Sequence, residues 1–322
     1  MDFGISPEQE QLAAAERTWL QRHDPIARVR ATLDHAPVTV DPAAVEHAAQ
    51  SGLLALLTED MGGSHVDLAV LGEEHGRAAS SLPLADAAVA AAVLDRLGVD
   101  VGDDELWGLT RTAGELGSPV PMAADLAGVL AVEHTGDAET AIVLRRPELV
   151  PMSTLDLTRS WSRPKLNDTG AQRIPLPTGT VAAVRDALAV HRAIDALGAA
   201  ARLVDMTVEY AGQRHQFGVP IGSFQAVKHH CANMTLRVEA GRSVLWAAAL
   251  ALDTDGPERS RTASAAAAYA KAAATEVAGL ALQVHGGIGF TWEHDLHLLL
   301  RRIKVDAAMD GTVTEHRAAL VA

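Results

Sequence analysis

Alanine-rich stretches with a helical spacing of apolar residues dominate the second half of the chain and confine it largely to helices. After residue 180 an apolar stripe passes through Val184, Leu188, Ala196 and Leu203, which share one face of a helix. Aromatic residues make up only 3% of the sequence, and small alanine side chains let helices pack closely. Four long helices in succession favour a bundle. We predict these helices over residues 180–212, 222–253, 258–284 and 292–321.

The N-terminal part of the chain also carries the start and stop signals of helices. Ser6 is a suitable N-cap before Pro7, and proline fits the first helical position. Asp41 precedes a second helical segment that stops at Gly52, and Pro83 separates two later segments whose apolar residues recur three and four positions apart. These signals predict helices over residues 6–32, 42–51, 66–80 and 83–97.

The helical pattern fades in the middle of the chain. Short apolar runs at 128–134 and 140–144 flank the turn sequence Thr135-Gly136-Asp137, which predicts two strands joined in a hairpin. We therefore divide the chain into an N-terminal helical domain over 1–103, a small β-rich domain over 104–178 and a C-terminal helical bundle over 179–322.

Charge and composition argue against several classes of partner. The net charge of −14 and the pI near 5.4 argue against nucleic acid, because nucleic-acid binders carry basic surfaces. No apolar run approaches the roughly 18 residues that a membrane-spanning helix needs, and the first residues lack the pattern of a signal peptide. Cys231 is the only cysteine, so no intrachain disulfide can form, and a reducing cytoplasm is the expected location.

The 14 histidines raise the question of a metal site. His229 and His230 are adjacent, so on a helix their side chains point about 100° apart and cannot easily share one metal ion. His294 and His297 are three residues apart, but no third and fourth ligand is evident beside them. We therefore expect no metal site.

Three segments of the chain carry motifs. Residues 71–78 read LGEEHGRA, residues 214–228 read RHQFGVPIGSFQAVK, and residues 283–291 read QVHGGIGFT. In this order and at these separations they resemble the E-x-x-G-R-A, R-x-x-F-G-x-x-I-x-x-F-Q and Q-x-x-G-G-x-G-[FY]-T motifs of the acyl-CoA dehydrogenase family. The resemblance spans nearly the whole chain. It implies a mainly α, acyl-CoA dehydrogenase-like fold with an N-terminal helical domain, a reduced middle β-domain and a C-terminal four-helix bundle.

By this resemblance the bundle contacts an FAD that is held mainly by a neighbouring subunit. The residues implied are Arg214, Gln216, Phe217, Gln225, Gln283, Gly286, Gly287, Thr312 and Thr314. Their chemistry suits a dinucleotide, because an arginine fork matches phosphate oxygens, amides offer donors and acceptors, and glycine lets a backbone approach closely. Several of them also have a simpler interpretation as a surface charge, a turn or a helix cap.

The family removes an α-proton with a carboxylate while a hydride leaves the β-carbon for the flavin. Residues 308–315 read AMDGTVTE and resemble the family's E-G-T-S-[EQ] segment, so Asp310 stands where the family often has its glutamate base. Asp310 is one methylene shorter, and before Gly311 it has an equally good interpretation as a turn former. Some family members place the base on an earlier helix, where this chain has Leu188 with Asp186 nearby.

The middle of the chain departs from the family pattern. Neither the T-E-P-x-x-G-S loop nor the W-I-[ST] strand that holds the isoalloxazine ring in the family occurs in this sequence. The chain thus resembles the shortened subunit of the heteromeric acyl-CoA dehydrogenases of actinobacterial steroid catabolism, which form α2β2 assemblies. This implies dehydrogenation of an acyl-CoA on a steroid side chain, with a full-length partner subunit and an electron-transfer acceptor protein. A non-catalytic structural subunit and a self-sufficient homotetramer remain as alternatives.

Overall fold

The computed structural model describes residues 5–23, 26–33, 37–167 and 170–321. Its N-terminal part consists of α1 (Pro7–His23), α2 (Ile26–Thr32), α3 (Pro42–Gln50), α4 (His65–Ala78) and α5 (Leu84–Arg96). The prediction of one helix over 6–32 is wrong, because the structure has both α1 and α2 in that range. The sequence has Pro25 between them, a residue type that disfavours a helix interior; Pro25 itself lies outside the described residues. The other three N-terminal helices are confirmed to within a few residues.

Strands form the middle part of the chain, as predicted. They are β1 (Trp107–Ala113), β2 (Leu116–Gly117), β3 (Val120–Pro121), β4 (Gly128–Thr135), β5 (Ala138–Arg145), β6 (Leu149–Met152), β7 (Trp161–Pro164) and β8 (Gln172–Leu176). One sheet has the order β2-β1-β4-β5-β8, and a second has the order β3-β7-β6. Strands β4 and β5 pair antiparallel, from Gly128 opposite Arg145 to Thr135 opposite Ala138, which confirms the predicted hairpin.

Long helices return after β8. They are α6 (Thr180–Gln213), α7 (Gln225–Thr254), α8 (Arg259–His285), α9 (Leu296–Ala308) and α10 (Val313–Ala319), with the short strands β9 (His215–Gln216) and β10 (Val219–Pro220) between α6 and α7. The prediction of one helix over 292–321 is wrong, because Asp310 and Gly311 have φ angles of 53° and 94° and a right-handed helix cannot continue through them. None of the described helices is long and apolar enough to cross a membrane.

Two glycines allow α4 and α6 to pack backbone against backbone. A Cβ atom on Gly198 of α6 would lie 2.1 Å from the carbonyl oxygen of Glu73, and one on Gly76 of α4 would lie 2.3 Å from the carbonyl oxygen of Asp195. Real side chains do not tolerate such contacts, so both positions require glycine for the helices to cross at this distance. The glycine of the E-x-x-G-R-A motif therefore has a packing role in this fold.

A buried charge cluster joins the three parts of the chain. Arg302 of α9 donates to both carboxylate oxygens of Asp195 of α6 at 2.7 and 2.8 Å, to the carbonyl of Ser80 after α4, and to the hydroxyl of Thr158 before β7. Burial alone would raise the pKa of Asp195, but the charges of Arg302 and Arg159 outweigh it and lower that pKa. This cluster fixes how the sheets and the two helical parts sit together.

Candidate functional site

The segment after α6 forms a hairpin at one end of the bundle. Strands β9 and β10 pair antiparallel, and Phe217 at the tip has a φ of 55° and leaves 92% of its surface exposed. Arg214 precedes the hairpin, is exposed, and its guanidinium has no hydrogen-bond or ion-pair partner among the described residues. An exposed cation and an exposed aromatic ring thus lie three residues apart in this hairpin segment.

The glycine-rich motif lies at the same end of the bundle. The ring of Tyr210, near the end of α6, stacks on His285, the last residue of α8, with the centroids 4.5 Å apart. Gly286 follows with a φ of 60°, and apart from the adjacent residues no atom of the described chain lies within 4 Å of where a Cβ would stand at Gly286 or Gly287. The backbone of this turn is therefore open to a ligand or to another chain.

The residues predicted near the flavin's nucleotide half lie at this end of the bundle and are exposed, except for the half-buried Gly286. We call this surface the bundle end. It comprises Arg214, Gln216, Phe217, Gln225, Gln283, Gly286 and Gly287. Exposed apolar side chains border it, namely Phe224, Ile288, Phe290 and Trp292. A cation, amides, aromatic rings and open backbone fit the phosphate and adenine parts of an FAD, but the bundle end covers such a ligand from one side only.

The turn between α9 and α10 is held by a buried lysine. Lys271 of α8 is fully buried, and its Nζ donates to the carbonyls of Met309 at 2.6 Å and Gly311 at 2.7 Å, on either side of Asp310. Burial disfavours the ammonium form and lowers the pKa of Lys271 to about 8 despite the nearby charge of Asp310. The two hydrogen bonds fix the backbone that carries the candidate base.

The carboxylate of Asp310 is ion-paired. Arg192 of α6 donates from Nε to Asp310 Oδ2 at 3.1 Å and from Nη2 to both carboxylate oxygens of Asp86 at 3.0 and 3.2 Å. The guanidinium of Arg192 also lies over the ring of Trp161, 5.3 Å from the centroid. Burial alone would lower the pKa of Arg192, but the charges of Asp86 and Asp310 raise it. Asp310 Oδ1 lies 4.0 Å from Nη2 of Arg111.

The space beside this ion pair is small. A cavity of about 30 Å³ is lined in part by Asp86, Leu188, His191 and Arg192. Sites for small organic ligands usually measure ~300 Å³ or more. The space between α5, α6 and the Asp310 turn in the isolated chain is therefore much smaller than such a site.

The two threonines predicted to contact FAD begin α10. The hydroxyl of Thr312 accepts from the backbone N–H of Glu315 and donates to its carboxylate, which is a helix-capping arrangement. Thr314 is exposed in the first turn of α10. Their role toward the flavin stays a prediction, and the cap interpretation holds for Thr312 in this chain.

The structure separates the predicted site residues into two groups. The Asp310 turn is anchored at Lys271, whereas the bundle end reaches α8 at Gln283, twelve residues further along the helix. At 1.5 Å per residue this separation is about 18 Å along the helix axis. The residues therefore form two separate surfaces rather than one continuous pocket.

Asp186 and His294, which were also considered from the sequence, contact other side chains of the protein. Asp186 is buried and accepts from Arg259 and Ser260 at the start of α8. His294 makes an edge contact with the ring of His285, and in the part of the chain that the structure describes no group of three or more His, Cys, Asp or Glu residues is placed to hold a metal ion.

Arg192, Lys271 and Asp86 were not predicted as site residues from the sequence. For Arg192 and Lys271, however, the sequence pattern contains a usable indication. Arg192 stands four residues after Leu188 in the apolar stripe of α6, and Lys271 is the single charge in the alanine-rich run 263–274. A charge inside an apolar helical face needs a buried partner, so such positions deserve consideration as site residues.

Comparisons with known proteins agree with the family resemblance of the sequence motifs. The family model described as the C-terminal domain of acyl-CoA dehydrogenases matches residues 182–322. The chain is 30% identical to the acyl-CoA dehydrogenase IpdE2 of Mycolicibacterium smegmatis over 97% of this chain and 97% of that protein.

Two solved structures share the fold. A chain of the ChsE4–ChsE5 complex from Mycobacterium tuberculosis matches with a TM-score of 0.87 at 20% identity, covering 100% of this chain and 98% of that chain. A chain from a variant of the Tcur3481–Tcur3483 steroid ACAD matches with a TM-score of 0.83 at 21% identity, covering 98% and 96%. These likenesses confirm the mainly helical fold class with a central β region.

Proposed function

The chain belongs to the acyl-CoA dehydrogenase family, and from this premise we propose that it dehydrogenates an acyl-CoA thioester at the α,β-position as one subunit of a heteromeric enzyme. Members of this family are oxidoreductases that act on CH–CH bonds, and they bind FAD. We propose a CoA thioester on a steroid side chain as the substrate. The steroid ACAD and the two-component complex among the structural neighbours support this proposal.

The observation that carries the proposal is the exposure of the bundle end. Arg214 has no partner within the described part of the chain, Phe217 is almost fully exposed, and the Gly286 turn has open space around it. Exposed aromatic rings are unfavourable in water, and the guanidinium of Arg214 has no anion to bind among the described residues of the isolated chain. A second, unlike subunit that encloses an FAD would cover this surface and present phosphate oxygens to Arg214.

In this proposal the chain's own residues orient the ligand and move the α-proton. Arg214, Gln225 and the backbone at Gly286 hold the phosphate and adenine part of the cofactor. FAD, when bound there, would supply the acceptor for the hydride that leaves the β-carbon. Asp310 is the base and takes the α-proton through Oδ1, because Oδ2 is engaged by Arg192. An electron-transfer protein then takes the electrons from the complex.

A second candidate function is favoured by the contacts of Arg192. This side chain pairs with Asp310 and Asp86 and leaves a cavity of only about 30 Å³ beside them. A subunit built in this way supplies FAD contacts and helices, while the unlike partner provides the base and the acyl pocket. In that case the chain is a structural subunit of the same enzyme.

Co-expression tests the heteromeric proposal. We expect the chain purified by itself to be colourless and to self-associate through its exposed aromatic rings, and the chain co-expressed with a full-length family member to give a soluble yellow complex. Absorbance near 450 nm and light scattering after size exclusion measure both properties. A monodisperse, flavin-loaded and active preparation of this chain alone would contradict the proposal.

Substitution of Asp310 by asparagine separates the two candidate functions. If Asp310 is the base, the Asp310→Asn complex loses on the order of 10²- to 10⁴-fold in kcat while it keeps its flavin. Asp205→Asn is the matched control, because Asp205 is an exposed carboxylate on α6. Full activity of Asp310→Asn would remove Asp310 as the base and leave the structural subunit.

A further inference from the structure

Arg111 of β1 is a cation beside Asp310, and its side chain makes no hydrogen bond within the described part of the chain. Its Nε is buried and has no hydrogen-bond partner among the residues that the structure describes. Its Nη2 lies 4.0 Å from Asp310 Oδ1, which is beyond hydrogen-bond distance. The side chain nevertheless keeps 32% of its area exposed, so a ligand can reach it. Buried donors without acceptors are rare and call for a partner.

Backbone hydrogen bonds hold the part of β1 that contains Arg111. Arg111 lies opposite Val132 in the parallel pairing of β1 with β4, and its carbonyl accepts from the backbone N–H of Ser118 at 2.8 Å. A guanidinium on such a strand is held in place better than one on a loop, and a binding group benefits from this rigidity.

The cations beside Asp310 differ in the contacts that they make. Arg192 pairs with the carboxylates of Asp310 and Asp86, Lys271 holds the backbone on either side of Asp310, and Arg111 lies 4.0 Å from Asp310 Oδ1. Within the described part of the chain, Arg111 is the member of this group whose side chain makes no hydrogen bond, so its donors can take an anion.

We propose that Arg111 binds an oxyanion of the CoA thioester substrate, either a carboxylate close to the α-carbon of the acyl group or a phosphate of the CoA moiety. The planar fork of arginine matches both kinds of oxyanion, and binding would satisfy the buried Nε. This inference rests on the proposed function, because it requires an acyl-CoA to approach Asp310 from the side of Oδ1. It adds a substrate-recognition residue to the middle domain.

Calorimetric titration of the FAD-containing complex with acetyl-CoA and malonyl-CoA tests this inference. Neither thioester carries a β C–H bond, so neither is dehydrogenated during the titration. The Arg111→Gln complex is compared with Arg173→Gln, a half-exposed arginine on β8 that pairs with Glu133. If a carboxylate is bound, Arg111→Gln weakens malonyl-CoA on the order of 10- to 100-fold and leaves acetyl-CoA unchanged.

If a phosphate of CoA is bound, Arg111→Gln weakens both thioesters by the same factor. In either case the thermal midpoint of Arg111→Gln stays within about 2 °C of the parent, because a side chain without hydrogen-bond partners contributes little to folding. Equal affinities of parent and Arg111→Gln for both thioesters overturn the inference and leave the proposed function intact. Failure of the parent complex to bind any CoA thioester overturns both.

Discussion

Lys271 is a charged residue in the alanine-rich run 263–274 of α8. Its ammonium is fully buried, and burial lowers its pKa from the ordinary 10.5 to about 8. Between pH 8 and 10.5 the unfolded chain therefore binds a proton that the folded chain does not bind, so this residue makes the free energy of unfolding rise with pH in that window. Below pH 8 the charged form is present in both states, and the folded state bears the cost of burying it.

A pH series of urea denaturations tests this prediction. From pH 7.5 to pH 10 we expect the free energy of unfolding of the parent to gain on the order of 2 to 3 kcal/mol relative to Lys271→Met. Lys304→Met, which replaces an exposed lysine of α9, serves as the control and follows the parent. A constant difference between parent and Lys271→Met across this range would show that Lys271 titrates outside it.

Arg214 is the residue of the bundle end with the sharpest expected effect on the cofactor. Its free guanidinium is expected to bind pyrophosphate, and a charge-assisted hydrogen bond contributes roughly 1.5 to 3 kcal/mol. We therefore expect Arg214→Gln to weaken FAD binding in the complex by about 10- to 100-fold, as measured by flavin fluorescence on dilution. Arg202→Gln, at an exposed arginine of α6, the helix that ends just before Arg214, leaves the flavin content unchanged. Equal flavin retention in both variants argues against the cofactor role.

At the level of the helices, the crossing of α4 and α6 decides how the N-terminal part meets the bundle. We expect Gly198→Ala to destabilise the protein by more than about 3 kcal/mol, because a Cβ there would stand 2.1 Å from the Glu73 carbonyl oxygen. The same change at Gly279 of α8, where no atom lies within 4 Å, stabilises by about 0.5 to 1 kcal/mol through helix propensity. Thermal unfolding measures both effects, and equal midpoints for the two variants contradict the packing account.

The turn between α9 and α10 divides a segment that the sequence predicts as one continuous helix. The helical periodicity continues through residues 292–321, so the sequence predicts a single helix there. Asp310 and Gly311 interrupt it with positive φ angles, and Lys271 holds the interruption from α8. A contact from a distant helix thus overrides a local pattern.

For the whole molecule, Arg302 is the residue that connects all three parts of the chain. It is buried and bonds Asp195, Ser80 and Thr158. Arg302→Met leaves the carboxylate of Asp195 buried with only part of its partners, so we expect a loss of about 3 to 5 kcal/mol in the free energy of unfolding. Arg173→Met breaks a half-exposed pair and should cost less than about 1 kcal/mol. Urea denaturation that shows similar losses for both would contradict this account.

The sequence by itself determined the long helices, the β4–β5 hairpin and the motifs of the bundle end, because periodicity, turn residues and short motifs are local properties of a chain. It located Asp310 but none of the charges around it. Arg192 lies 118 residues from Asp310, and Lys271 lies on another helix. Only the packing of α5, α6, α8 and the α9–α10 turn brought them together, since many pairings of buried charges are compatible with the same helical pattern and the tertiary structure selects one of them.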